Sequence, residues 1–359
     1  MENLRIPKVE FRQASTPRIA PEQLGVNYIG WPGSASAASA MQHKVCRLHD
    51  YSGGSSTWRN RWPKVEPSKG VFDWAGIDTA VDQISAAGSD VLFTVFGSPT
   101  WASARPTEIG AYGAGTPGIA AEPANIVDLS DFCTALATRF AGRIKYYEIW
   151  NEVNAVGFYS GTQAKLAEMV RVAATAIKAA DPSAVIVGPS VTFLWAQGNG
   201  REYLQTMYGA PDGAGGALRD WVDIVSVHLY SYSFARISEV QVMLKAVRDA
   251  MVTAGVSGKP LWNTEHTVLG PDFATLTPQQ RQASIRRMVL IPLVSAYGGC
   301  DHSVIYGPDS SAFGFAADDI AEYNDLVTEL HNGRISDVRL SPDGRMSYIR
   351  DGSQVLVEI

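Results

Sequence analysis

The chain has 359 residues, of which 46% are hydrophobic and 18% charged, and its formal net charge is −6. This is ordinary globular composition, and the length suits one large domain with a small appendage that needs no disulfide or metal staple. An acidic chain without a long basic run is a poor nucleic-acid partner, no apolar run approaches the ~18 residues of a membrane span, and Cys46, Cys133 and Cys300 have neither disulfide-framework nor zinc-site spacing.

The first residues, MENLRIPKVEFRQ, lack an apolar leader core, so no signal peptide is expected in this chain. Residues 1–23 read as an N-terminal extension, with 4–12 able to add a strand to a C-terminal β appendage. Strand-like β-branched and aromatic runs follow at 24–30, 45–50, 90–97, 144–152, 184–191, 223–230, 259–265 and 302–307. Helical patterns lie between them. Ile77, Ala80, Val81 and Ile84 recur at i, i+3, i+4, i+7, and further helices read at about 127–141, 163–180, 237–254, 277–296 and 317–331. Gly142 and Asp181-Pro182 are helix stops.

Eight strands, each followed by a helix, predict an α/β fold: a (β/α)8 TIM barrel over 24–331. An open doubly wound sheet would place a glycine-rich phosphate turn after the first strand, and Gly30-Trp31-Pro32-Gly33 does not fit one. Residues 332–359, punctuated by Pro342-Asp343-Gly344 and Asp351-Gly352, read as a small β-meander.

Active sites of such barrels lie at the C-terminal ends of the strands. The polar residues there are Arg47, His49 and Asp50 after strand two, Asn151, Glu152 and Asn154 after strand four, His228 and Tyr230 after strand six, and Glu265 and His266 after strand seven. Strands four and seven are not neighbours, so Glu152 and Glu265 can face each other across the mouth. Cleavage of a glycosidic bond uses such a pair. About 5–5.5 Å between the carboxyl groups goes with retention and about 6.5–9.5 Å with inversion.

The segments YEIWNE (147–152) and LWNTE (261–265) resemble the two signatures of clan A glycoside hydrolases. Residues 47–78 and GSPTWAS (97–103) are similar to glycoside hydrolase family 39. The resemblance spans roughly 24–330 and implies a retaining O-glycosyl hydrolase acting on a β-linked poly- or oligosaccharide; no cofactor and no catalytic metal are expected. It implies Glu152 as acid/base, Glu265 as nucleophile and Asn151 as donor to the sugar 2-hydroxyl. Arg47, with Tyr230 or His228, would hold the nucleophile ionised. The sequence departs from the family at Val153, where proline is usual, and at Tyr306-Gly307, where the clan often has a tryptophan platform.

Trp31, Trp58, Trp62, Trp101 and Trp195 fall in loops after strand ends and are expected to line sugar subsites. Trp74, Trp150 and Trp221 read as core. His49 and Asp50 are candidate substrate contacts, with loop capping an equal reading for Asp50. Glu148 reads as a buried acid paired with Arg47. His49, His228 and His266 lack a tight metal-ligand spacing. Endo-cleavage of a bacterial exopolysaccharide is the first functional expectation, and an exo-acting β-xylosidase the second. A catalytically silent carbohydrate-binding barrel and a metal-dependent barrel hydrolase or isomerase are alternatives of other classes.

Overall fold

A computed structural model describes residues 21–28, 40–52, 58–194, 198–230, 238–267, 275–297, 299–307, 315–332, 335–340 and 346–357. Eight strands, β1 (Leu24–Asn27), β2 (Val45–Leu48), β3 (Asp90–Val95), β4 (Ile144–Ile149), β5 (Val185–Val187), β6 (Val225–His228), β7 (Leu261–His266) and β8 (His302–Ile305), form one parallel sheet in the order β5-β4-β3-β2-β1-β8-β7-β6. The edges β5 and β6 meet through parallel bridges between Val187 and Ile224 and between Val191 and Val227, which bring the sheet round into a (β/α)8 TIM barrel.

Helices follow strands two to eight: α1 (Ala75–Ala86), α2 (Ile126–Arg139), α3 (Gln163–Ala180), α4 (Gly200–Met207), α5 (Ser238–Thr253), α6 (Pro278–Tyr297) and α7 (Ala317–His331). The apolar residues read from the sequence are those α1 buries: Ile77, Ala80, Val81 and Ile84. Asn125 starts α2 by accepting a hydrogen bond from the Val127 amide, and Thr162 caps α3 in the same way through the Lys165 amide. Asp181 ends α3, and its carboxylate accepts from the Gly142 and Ser183 amides, so one side chain ties a helix end to the turn before β4. Helix α4 has no counterpart in the sequence reading. It is two turns long, and only Gly200, Leu204 and Met207 of its residues are buried.

The barrel interior is layered by strand periodicity. Val45, Leu92, Tyr146, Ile224 and Trp262 form an apolar layer. Two residues further along the same strands, pointing the same way, come Arg47, Thr94, Glu148, Ser226 and Thr264, all fully buried. The barrel floor is therefore oil and the storey above it is polar. The sheath between strands and helices is a separate, larger apolar cluster.

Beyond α7, β9 (Ile335–Leu340), β10 (Met346–Arg350) and β11 (Ser353–Val357) make a three-stranded antiparallel sheet. Asp351 and Gly352 turn between the last two strands with φ of 50° and 80°, the left-handed conformation a tight hairpin requires. The expected strand at 4–12 lies outside the described residues. Among these residues no helix is long and apolar enough to cross a membrane.

Trp62 departs from expectation. It is fully buried, stacks on Phe132 at 5.2 Å and donates its indole N–H to Glu66 at 2.7 Å, so it fastens the β2–α1 connection to α2 and offers no face to a sugar. Phe132→Ala should lower the unfolding free energy by about 3–5 kcal/mol through the cavity left under Trp62, read from urea unfolding. One buried and one half-buried imidazole give the fold a pH dependence. Burial pushes His266 and His302 down to about 4, so both are neutral in the folded state. The unfolded chain takes up these protons first, from about pH 6.5 downwards. Stability is therefore full above about pH 6.5 and should decline continuously towards about pH 4, and His302→Phe should flatten that decline.

Candidate active site

The polar storey is organised by Arg47. Its Nε and Nη2 donate to Glu148 Oε2 at 2.9 and 2.7 Å, Nη2 donates also to Asn151 Oδ1 at 2.8 Å, and Nη1 donates to Glu265 Oε2 at 2.8 Å. One guanidinium thus links β2 to the ends of β4 and β7. Glu148 is held on its other sides by hydroxyls. Thr94 donates to Oε2 at 2.9 Å, while Ser226 and Thr264 donate to Oε1 at 2.8 and 2.7 Å. Burial alone would raise the Glu148 carboxyl, but Arg47 and these donors hold it below the usual carboxylate range. Burial likewise opposes the charge on Arg47, and Glu148 and Glu265 more than restore it. The buried structural acid and the barrel arginine of the sequence reading are therefore one ion pair that also reaches the mouth.

Glu152 and Glu265 sit in that mouth with side chains 13% and 9% exposed, reachable by a ligand yet largely dry. Single carboxylate oxygens of the two lie within 4.8 Å of each other. Neither is delivered by simple strand alternation. In β7 the register against β6 slips so that His228 pairs with Glu265 one residue late, a bulge that lets Thr264 and Glu265 both face inward. After β4, Trp150 and Glu152 adopt φ of 74° and 45°, a left-handed region costly for side-chain-bearing residues. The chain is fastened there by Trp150 N donating to Val95 O, Trp150 Nε1 to Phe158 O, and Glu152 N to Ser190 Oγ.

His228 stands between the two carboxylates, its Nδ1 2.9 Å from Glu152 Oε1 and 3.9 Å from Glu265 Oε1. The Tyr230 hydroxyl donates to Glu265 Oε1. Burial first, and then the negative charge of Glu265, raise the Tyr230 phenol well above its ordinary value, so it remains a donor. Burial raises the Glu265 carboxyl, with the Glu152 charge adding to it and His228, Arg47 and the Tyr230 hydroxyl opposing. Asn151 Oδ1 is occupied by Arg47, which turns its amide nitrogen away as a free-standing donor.

A second cluster borders the first. Asp50 accepts from Arg61 Nη2 at 2.6 Å and from the Tyr306 hydroxyl at 2.8 Å, with His49 Nε2 3.5 Å away. Burial works against its charge, yet Arg61 and the Tyr306 hydroxyl hold Asp50 below the ordinary carboxylate range. Burial keeps His49 neutral, down to about 3. The Tyr112 hydroxyl lies 3.3 Å from His49 Nε2, and the Arg61 guanidinium covers the Tyr112 ring at 3.4 Å and the half-buried Trp58 at 4.9 Å. Tyr306 is thus bound to Asp50, with its own proton kept on by burial and by that carboxylate. Arg61, Ser190 and the Thr94–Ser226–Thr264 clasp were not singled out from sequence. Ser226 and Thr264 share the inward parity of their strands, whereas Arg61 and Ser190 lie in irregular segments with no periodic signal.

Trp101 is half-buried. Its indole donates to the Glu66 carbonyl at 2.9 Å and its ring meets Trp62 edge-on at 6.1 Å, so it braces the loop after β3 against the core. Trp31 and Trp195 lie outside the described residues. Glu152, His228 and Glu265 are the His/Cys/Asp/Glu cluster among the described residues whose ligand atoms lie together; His49 and His266 do not join it.

A family model described as cellulase (glycosyl hydrolase family 5) matches residues 74–270. Similar solved structures include a glucosidase from Croceicoccus marinus (15% identity, 93% of this chain and 71% of that one, TM-score 0.65). A family 39 β-xylosidase from Caulobacter crescentus is 20% identical over 94% of this chain and 79% of that one, with a TM-score of 0.61. Xylanase 10B from Thermotoga maritima is 12% identical over 87% and 96%, with a TM-score of 0.57. At these identities the structures carry the fold. No curated protein matches the chain.

Removing one member of the buried ion network should be far costlier than removing a surface pair. Glu148→Ala should destabilise by about 3–5 kcal/mol, because Arg47 is left buried with a lost partner. Arg143→Ala, which breaks an exposed pair with Asp82, should cost less than about 1 kcal/mol in the same denaturation series.

Proposed function

The chain belongs to the cellulase family, glycosyl hydrolase family 5, and is a retaining glycoside hydrolase acting on carbohydrate; from that premise we propose that Glu265 is its nucleophile and Glu152 its acid/base. The observation that carries this assignment is the separation of the pair. Single carboxylate oxygens of the two lie within 4.8 Å of each other, which supports the close pair of a retaining enzyme over the wider pair of an inverting one.

In the first step the Glu152 proton moves to the glycosidic oxygen as the bond to the anomeric carbon breaks. A Glu265 oxygen forms an ester to that carbon from the opposite face. In the second step Glu152 takes a proton from water, the water oxygen bonds to the anomeric carbon, and Glu265 leaves as carboxylate. The roles are divided by their partners. Glu265 faces the Arg47 cation and the Tyr230 donor, both of which favour its ionised form, while Glu152 faces the His228 imidazole. Asn151 offers its amide N–H to the sugar 2-hydroxyl. Asp50, His49 and Tyr306 form the wall that receives further hydroxyls, with Trp58 at its edge.

The substrate reading is a β-linked polysaccharide cleaved internally, a bacterial exopolysaccharide being the class we favour, by the barrel of residues 24–331 carrying the 332–359 appendage. The aromatic edge made by Trp58 and Tyr112 supports an extended chain across the mouth. Exo-action as a β-xylosidase is the second reading, favoured by the similarity to the Caulobacter crescentus enzyme.

Glu265→Gln should reduce kcat by at least ~10^4-fold on every substrate. Glu152→Gln should lose as much on natural linkages but retain most of its rate on aryl glycosides with strongly acidic leaving groups, which need no protonation. Equal loss on both substrate types in the Glu152 variant contradicts its role. Chromatographic sizing of products separates the substrate readings: internal cutting gives a ladder of oligomers early, and exo-action gives a monomer throughout.

A further inference from the structure

We propose that Glu152, His228 and Glu265 form a divalent-cation site of zinc type, occupied in competition with the sugar, so that such an ion inhibits this enzyme. The donor set is mixed, two carboxylates and one imidazole nitrogen, which is the set that borderline cations such as Zn2+ select over Mg2+. His228 is 1% exposed and its Nδ1 points between the carboxylates, 2.9 Å from one and 3.9 Å from the other. The three ligand atoms lie within 4.8 Å of one another. A tetrahedral centre with metal–ligand bonds of roughly 2.0–2.2 Å has ligand–ligand edges of ~3.3 Å, so the observed edges fall on both sides of that value and a small carboxylate rotation closes the site.

Charge favours the same occupant. Arg47 neutralises one carboxylate oxygen of Glu265, but it is shared with Glu148, and no other Lys or Arg among the described residues is paired with Glu152 or Glu265. Nδ1 lies within hydrogen-bond distance of Glu152 and Nε2 is buried without a partner, so an entering ion takes the place of the proton between His228 and Glu152. The ion would stand where the anomeric carbon stands in catalysis and would tie up the acid/base together with the nucleophile. The cation site rests on the geometry alone; its inhibitory effect rests on the catalytic reading of the pair.

The test is calorimetric titration of ZnCl2 into chelator-treated, dialysed protein, alongside Glu265→Gln, Glu152→Gln and His228→Gln, with MgCl2 as the comparison. One equivalent of Zn2+ should bind, each variant should weaken it at least tenfold, and Mg2+ should not bind. In steady-state assays Zn2+ should raise apparent KM with kcat unchanged, and chelator should restore the original value. Zinc binding that is unchanged in all three variants overturns the site, because the ion is then held elsewhere. Single-equivalent binding that the variants abolish, without any effect on KM, upholds the site and overturns the catalytic reading instead.

Discussion

Arg47 is the interaction on which the rest of the site depends. A fully buried guanidinium can stay in a barrel only if its donors are used, and here they are used on three side chains at the ends of two other strands, β4 and β7. Glu148 is the permanent counter-charge, clasped by hydroxyls from β3, β6 and β7. With that charge balanced below, the remaining arm, Nη1, is directed up to Glu265, while Nη2 is shared between Glu148 and Asn151. Breaking a buried pair leaves an uncompensated charge and costs several kcal/mol, whereas the pair itself adds little net stability over apolar packing. Its value here is positional: it sets where the Glu265 carboxyl stands and opposes the loss of its charge on burial.

Around this axis the site is built from departures from regular structure. The bulge in β7 and the left-handed residues after β4 both turn side chains inward that strand alternation would send elsewhere. Such backbone is unfavourable by itself and persists because it is anchored, at β4 by hydrogen bonds to Val95, Phe158 and Ser190. A rigid anchorage suits chemistry in which two oxygens must hold their separation through both steps. The second cluster, Asp50 with Arg61, Tyr306 and His49, borders it, so the mouth presents one carboxylate pair and one polar wall.

Much of this was legible in the sequence, and the reasons are physical. Strand and helix periodicities gave the barrel, because apolar residues at 2.0 and 3.6 spacing have few other ways to be buried. Arg47 and Glu148 could be paired because both point inward by parity. The two glutamates stood out by strand-end position and by the resemblance around them. What alternation could not supply was how Glu265 and Thr264 face the same way, since a bulge leaves no mark in composition. Tryptophan in a loop was read as exposed, yet Trp62 is fully buried and packs on Phe132. A large ring after a strand end can turn either to the mouth or under the loop, and sequence position does not choose between them. Arg61 escaped notice for a similar reason, because a loop residue has no periodicity to betray its direction.

The central claim is that Glu265, held by Arg47 and Tyr230, forms the covalent bond to the sugar. The most direct measurement is peptide mapping by mass spectrometry after reaction with a 2-deoxy-2-fluoro glycoside bearing an activated leaving group, which slows the second step. The account predicts a single glycosyl adduct on the peptide containing Glu265. An adduct on Glu152 or any other residue, or turnover that yields product of inverted anomeric configuration with no adduct at all, would contradict it.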